Sequence, residues 1–332
     1  MIRCIIVGYG FLGRKLAKEI AAHKIQDLKL VGIASSKGYL YKESGFKPED
    51  LPEKIAEAQG FKEAPAFELI SRELADLLIE LTPTNIENGE PGLSHIRQAL
   101  EEGMDVVTAN KGPIALAYEE LTSLARERDA MLLYEATVGG GIPIISLQKR
   151  CLAADELLSI KGILNGTTNY ILSRMHFEEM TFELALREAQ MLGIAERDPT
   201  LDIEGIDTAL KIVILANSLM NAGKKLNDVK IKGIRKITSE AIAAAKESGM
   251  TIKLIGIANE EELSVAPRLI KLGDPLCVHG TLNAINLNLR ILGSLTIIGE
   301  GAGESTLSAL INDVYEVVKA RRISTSKNAL NE

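Results

Sequence analysis

Along the first 140 residues, short apolar runs alternate with amphipathic stretches whose apolar positions recur at a helical period. Ile2 to Val7, Leu28 to Ala34, Leu77 to Leu81, Asp105 to Thr108 and Met131 to Glu135 read as strands. Gly13 to Ala22, Leu93 to Glu102 and Tyr118 to Asp129 read as helices with one apolar stripe. Strands that alternate with helices pair in parallel, and such a sheet is covered on both faces. Residues 36 to 65 are polar and broken by Pro48, Pro52 and Pro65, which predicts a surface excursion. After Pro143 the helical patterns lengthen and strands become spaced pairs, such as Leu157 to Leu164 and Leu282 to Leu289. A second, α+β unit is expected there. Near the end, IIGEGAGESTLSALINDVYEVVKA combines a glycine-rich turn with an amphipathic helix of the first kind. The expected division is therefore 1–141 with 296–332 as one discontinuous domain, and 142–295 as the other. The polar tail RRISTSKNALNE reads as frayed.

Composition supports two cores and narrows the partners. The 332 residues are 46% hydrophobic, and single cores stop growing near ~250 residues. A net charge of −7 without a Lys/Arg cluster argues against nucleic acid or an anionic membrane and favours a small-molecule substrate. Cys4, Cys151 and Cys277 are scattered, with no C-x-x-C pair, which fits reduced thiols in a cytoplasmic protein. No apolar run approaches the ~20 residues of a membrane span, and the chain opens directly into IRCIIVG rather than a signal peptide.

The first chemical signal is IIVGYGFLGRKLAKEI, with Gly8, Gly10 and Gly13 between a predicted strand and a predicted helix. In a dinucleotide fingerprint the first glycine makes the tight turn, the second lets backbone approach the pyrophosphate, and the third permits close helix packing. The helix N-terminus at Phe11, Leu12, Gly13 and Arg14 then faces the phosphates. A plain strand-to-helix turn and an S-adenosylmethionine site are the alternatives. With this loop the pattern describes an α/β fold: a Rossmann-type parallel-sheet nucleotide domain followed by an α+β substrate domain. The second strand ends in Ser35, Ser36 and Lys37, where an NAD-specific site carries an acid. This favours NADP, although a site accepting NAD as well is open.

Other stretches fall where parallel strands end, the edge at which such sheets bind ligands. IELTPTN brings Thr82 there, and VVTANKG brings Thr108, Asn110 and Lys111. Lys111 can hold a substrate carboxylate or hydroxyl as a point charge, or be an ordinary loop lysine. YEATVGGGIPI, at the predicted domain junction, suits a hinge, a linker, or carbonyls turned toward a monovalent cation. His23, His95, His176 and His279 lack metal-ligand spacing and read as structural.

AERDPTLDIEGIDTALK is the most unusual segment. On a helix from about Ile203 to Asn221, Asp207, Lys211, Ile214 and Ser218 share one narrow face, while the other positions are apolar nearly all round. A lysine on a buried helix needs a partner, and Asp207 stands one turn earlier. Glu196 and Asp202, in the loop before it, suit a substrate that carries an ammonium group. Asp198, before Pro199, reads as a turn former, and Glu204 as a first-turn acid.

The run AQMLGIAERDPTLDIEGIDTALK resembles the signature of homoserine dehydrogenases at Ala189, Gly193, Asp198, Pro199, Asp202, Gly205, Asp207 and Lys211. The resemblance extends through ELTPTN, VVTANKG, EATVGGGIP, KGILNGTTNYIL and PLCVHGTLNAINL. It implies an enzyme that interconverts L-homoserine and L-aspartate 4-semialdehyde with NAD(P), in threonine, methionine and isoleucine biosynthesis. It implies Lys211 as the catalytic lysine with Asp207 as partner, Lys111 as a second substrate lysine, and Glu196, Asp202, Gly166 and Thr167 as substrate contacts. It also implies a sodium ion on the carbonyls of Glu135, Val138, Gly140 and Ile142, a cofactor contact at Gly301, and a homodimer joined through the second domain. Two features depart from the family pattern: Ile194 stands where many members carry an aromatic, and the spacing from Gly301 to Thr306 differs. The rival functions are a dehydrogenase for another amino-acid alcohol and a non-catalytic dinucleotide sensor.

Overall fold

The computed structural model describes residues 1–23 and 25–328, with side chains up to residue 323. It divides into a unit of Met1–Thr137 with Thr306–Glu332 and a unit of Val138–Ser305.

The first unit runs β1 (Ile2–Val7), α1 (Phe11–Ala21), β2 (Leu28–Ser35), β3 (Gly38–Tyr41), β4 (Leu77–Glu80), α2 (Gly92–Glu101), β5 (Asp105–Thr108), α3 (Lys111–Leu116), α4 (Tyr118–Glu127) and β6 (Leu132–Leu133). Its sheet has the order β3-β2-β1-β4-β5-β6, parallel throughout except for the β2–β3 pairing. Strand order reverses at β1, so the crevice beyond the carboxyl ends of β1 and β4 is the expected ligand site of such a sheet. The apolar runs become strands because both sheet faces are covered: Ile5, Ile6, Ile33, Leu77, Leu78 and Ile79 are all fully buried.

Residues 36–65 differ from the predicted surface excursion. Gly38–Tyr41 adds an antiparallel edge strand, and Tyr39, Leu40, Phe46 and Ile55 are buried. The many charged side chains of this segment mask a short alternation too brief to stand out by period alone.

The second unit runs α5 (Ile144–Cys151), β7 (Leu157–Ile163), α6 (Gly166–Glu178), α7 (Phe182–Met191), α8 (Thr200–Ile203), α9 (Ile206–Met220), β8 (Lys230–Ile231), α10 (Ser239–Glu247), β9 (Met250–Asn259), β10 (Leu263–Lys271), β11 (Leu282–Leu289) and β12 (Gly293–Glu300). Its sheet order is β12-β11-β7-β9-β10-β8, antiparallel except where β8 meets β10. Gly256 on β9 lets α9 lie close, since a Cβ there would stand 3.2 Å from the Thr208 side chain and 3.5 Å from Ile212.

The last helix, α11 (Glu304–Asn328), returns to the first unit. The return falls at Thr306 rather than residue 296, because Gly293–Glu300 is hydrogen-bonded to β11 as a strand of the second sheet. Leu310, Val314, Val317 and Val318 enter the first core, each stabilising by roughly 1.5–3 kcal/mol. Residues 321–328 of the tail expected to fray are helical, and 329–332 lie outside the described residues. Arg321 explains the ordering: its Nε donates to Asp105 at 2.8 Å, and Asp105 is almost wholly buried.

The second unit also buries a lysine. Lys253 of β9 is fully buried, and its Nζ lies 2.7 Å from Asn169 Oδ1, 3.1 Å from Ser173 Oγ and 3.2 Å from His279 Nδ1. Burial pushes the ammonium down from 10.5 to about 8, with Cys277 opposing weakly. Burial, aided by Lys253 and His176, holds His279 at about 4, so its neutral ring can accept. Between pH 8 and 10.5 the unfolded chain thus binds the extra proton and the native state does not, so Lys253 makes stability rise with pH over that window. The rise is on the order of 3 kcal/mol at most, from the linkage of about 1.4 kcal/mol per pKa unit. Melting curves of the wild type and Lys253→Met between pH 8 and 10 should differ in slope in that sense. Equal slopes would exclude Lys253 as the source.

Candidate active site

In the first unit the glycine loop follows β1 directly. Gly8 adopts φ +107°, and a side chain there would overlap the backbone at Leu81. A Cβ on Gly13 would overlap the Gly8 carbonyl oxygen, so the third glycine is required by helix packing itself. Gly10 differs: it caps α1 in an extended conformation, and a Cβ on it would meet no atom within 4 Å. The helix opens with no acid in its first turn, Phe11 and Arg14 exposed beside it. Unpaired first-turn N–H groups, a positive helix end and open space at Gly10 fit a pyrophosphate. At the end of β2, Ser35 Oγ accepts from the Lys37 N–H at 3.2 Å, and Ser36 and Lys37 are exposed.

Thr82, Thr108 and Asn110 are brought together by a residue missing from the sequence reading, Glu80. This carboxylate is fully buried at the end of β4. It accepts from the Thr82 N–H at 3.0 Å, from the Thr82 hydroxyl, and from Thr108 Oγ1 at 3.3 Å. Asn110 Nδ2 donates to Thr82 Oγ1 at 3.2 Å, while Asn110 Oδ1 caps α3 through Gly112 N at 3.2 Å. The cap sets Lys111, half-buried, as the first residue of α3. A glutamate within the apolar run LLIEL was the available signal, because a strand buried on both faces has no solvent side for a charge.

In the second unit the helix bearing Lys211 starts later than its periodicity predicts. Gly205, at φ +84°, separates α8 from α9, so Glu204 precedes the helix and pairs with Arg235 at 2.5 Å. Asp198 makes the expected turn, accepting from Thr200 N at 3.1 Å. On α9 only Ile206, Asp207, Ser218 and Met220 escape full burial. Lys211 Nζ lies 2.7 Å from Asp207 Oδ2 and donates to the Leu164 carbonyl at 2.6 Å. That uses two of the three ammonium hydrogens.

Asn165, also missed by the sequence reading, ties the acids together. Its Nδ2 donates to Asp202 Oδ1 at 2.6 Å and to Asp207 Oδ2 at 2.9 Å. Burial, and then the Asp207 charge, push the Asp202 carboxyl upward, while Asn165, Lys211 and Thr167 pull it down. Thr167 Oγ1 also donates to the Ile194 carbonyl at 3.0 Å, and Gly166 opens α6 so close to Thr281 that a Cβ would stand 2.8 Å from its oxygen. The Asn preceding GTT was the sequence signal, as a helix N-cap.

The remaining candidates stand apart. Glu196 is exposed, and its backbone carbonyl accepts from Gln190 at 3.2 Å. Gly301 follows β12 in the second unit, packed on the Asn283 side chain. Glu135 lies in the first unit, with Val138, Gly140 and Ile142 in the second. Among the described residues no group of three or more His, Cys, Asp or Glu side chains is placed for a metal.

Two family models match the chain: "Homoserine dehydrogenase, NAD binding domain" over residues 8–135 and "Homoserine dehydrogenase" over 143–315. The chain is 43% identical to a homoserine dehydrogenase of Methanocaldococcus jannaschii, across 96% of this chain and 99% of the relative. It is 37% identical to an NAD(+)-dependent homoserine dehydrogenase of Pseudomonas canavaninivorans, across 94% and 95%. Among solved structures it resembles a protein assigned as a homoserine dehydrogenase from Archaeoglobus fulgidus, at 41% identity, TM-score 0.89, and 96% and 99% coverage. A hyperthermophilic archaeal homoserine dehydrogenase in complex with NADPH is similar at 29% identity, TM-score 0.83, and 96% and 98% coverage.

The loop geometry separates two glycine roles that a motif alone does not. Gly10→Ala should leave the melting temperature within about 2 °C while weakening dinucleotide binding at least ~10-fold, because its methyl occupies only the open space. Gly13→Ala should instead lower the melting temperature, by the overlap with Gly8. Calorimetry and fluorescence titration with NADPH measure both, and equal stability losses would refute the division.

Proposed function

The chain belongs to the homoserine dehydrogenase family, and on that premise we propose how its own residues divide the work. The family's reaction is the NAD(P)-dependent interconversion of L-homoserine and L-aspartate 4-semialdehyde. The bound nicotinamide dinucleotide supplies the hydride. Gly8, Gly10 and Gly13 with the start of α1 hold its phosphates, and Thr82, Thr108 and Asn110 line the crevice that Glu80 organises.

The observation that carries the assignment is the Lys211 ammonium. It is buried, fixed by Asp207 and the Leu164 carbonyl, and keeps one N–H that the described residues do not engage. A donor held in that way stabilises an alkoxide as it develops and delivers the proton to it, and in reverse accepts the hydroxyl proton. Asp207 orients the lysine. Asp202 and Glu196 provide carboxylates for the substrate ammonium, Gly166 and Thr167 serve as further substrate contacts, and Lys111 offers a second positive charge for the substrate carboxylate or hydroxyl.

Ser35, Ser36 and Lys37 support NADP as the preferred cofactor; one archaeal relative is solved in complex with NADPH, and the Pseudomonas relative is named for NAD(+). Lys37→Glu should weaken NADP selectively, measured as the ratio of NADP to NAD affinities; equal losses for both would defeat the preference.

Homoserine with NADP should give absorbance at 340 nm, and Lys211→Met should lower turnover by roughly 10² to 10⁴ fold, the range for a lost proton-transfer group. Methionine keeps the buried stem, so fold and NADP affinity should survive. Glu196→Gln should raise the homoserine KM more than it lowers kcat, because it removes binding common to ground and transition states. A folded Lys211→Met that keeps turnover within about tenfold would make the Asp207–Lys211 pair a structural ion pair only.

A further inference from the structure

Asp202 and Asp207 present two carboxylates to one amide nitrogen. Asn165 Nδ2 donates to both, at 2.6 and 2.9 Å. An amide nitrogen has two hydrogens in a fixed plane, one for each acid. The orientation of the amide is set from its other side: Asn165 Oδ1 accepts from Thr168 N at 2.8 Å. A flipped amide would face its oxygen to two carboxylates and its NH₂ to a backbone N–H, so only one arrangement satisfies the network. The backbone is held too, since the Asn165 carbonyl accepts from Asn169 N at 3.2 Å and Thr168 Oγ1 at 3.1 Å.

Building on the functional reading above, we propose that Asn165 is a positioning residue for the reaction: its carboxamide holds Asp202 and Asp207 side by side, leaving Asp207 on Lys211 and Asp202 available to the substrate ammonium. Two acids sharing a site otherwise favour taking up a proton between them, because like charges oppose the second ionisation. A neutral donor aimed at both relieves this without adding a cation that would compete with the substrate. The charged groups facing Asp202 are Asp207 and Lys211, both from α9; Asn165 and Thr167, from α6, are neutral. The upward push on Asp202 from burial and from Asp207 is what loss of the amide would leave less opposed.

Asn165 also caps α6, so the test must separate capping from this role. Asn165→Ser keeps an acceptor for the Thr168 N–H and removes both donors; serine is an equally good cap. The melting temperature and NADP affinity should stay near wild type. The acid limb of kcat/KM for homoserine should move up by about one pH unit, a tenfold loss on the acid side that recovers at alkaline pH. Asn165→Asp, which keeps the shape and the cap but adds a third acid, should move the limb further. A readout that needs no turnover is the ¹³C titration of the Asp202 carboxyl, which should rise in both variants.

Two variants with wild-type pH profiles and an unmoved Asp202 titration would overturn the proposal and leave Asn165 as a helix cap. A wild-type protein that binds NADPH but does not turn over homoserine would defeat the functional reading instead, with the Asp202 titration still deciding the part played by Asn165.

Discussion

The second unit is organised around an ammonium placed inside an apolar helix. Lys211 sits among Leu210, Ile212, Val213, Ile214 and Leu215, all buried, where an unpaired charge costs several kcal/mol. What makes the position tolerable is local. Asp207 lies one turn back on the same face, and the Leu164 carbonyl at the end of β7 accepts a second hydrogen. Gly205 breaks the chain before the helix, putting Asp207 in the first turn of α9, where the helix dipole also favours a carboxylate. Gly256 allows that helix to approach the sheet that carries Leu164. Moving any of these four would disturb the partners of the charge.

The first unit applies the opposite logic at Glu80. There, among the described residues, the buried carboxylate accepts from neutral donors, two threonine hydroxyls and one threonine N–H, and the second threonine hydroxyl is also held to the Glu80 carbonyl at 2.9 Å. The nearest ring nitrogen, His95 Nδ1, stands 3.8 Å away and makes no hydrogen bond. The acid thus acts as a fastening for the loops after β4 and β5 rather than as a charge offered to a ligand. In both units a polar group unsuited to its surroundings marks the place where loops are fixed.

The parts of this arrangement that the sequence displays are those written in local periodicity and spacing. Ile2–Val7 and Asp105–Thr108 show their bounds because each is an apolar run ended by glycine or polar residues, and Asp207 and Lys211 show their pairing because i and i+4 meet on any helix. Asn165 and Glu80 do not, since the acids on Asn165 lie 37 and 42 residues away and Glu80 joins its neighbour Thr82 to Thr108 across a strand pair. Contact at that separation is decided by packing. The edge strand at Gly38–Tyr41 was hidden for another reason: its residues are apolar on a scale of four positions, inside thirty that are mainly polar. The helix start at Ile206 was displaced by a glycine whose φ is a property of the tertiary turn.

The returning helix α11 has a consequence for the order of events during synthesis. The first sheet is complete in sequence by residue 133, yet Leu310, Val314, Val317 and Val318, and the guanidinium that faces Asp105, arrive almost two hundred residues later. The second unit is contiguous from Val138 to Ser305. On a ribosome it emerges whole while its predecessor still lacks one wall of its core, and domains generally fold as units. The nascent chain therefore carries an unsealed nucleotide-binding half through the time needed to make the other half, and the apolar face awaiting α11 is the surface that a chaperone would meet.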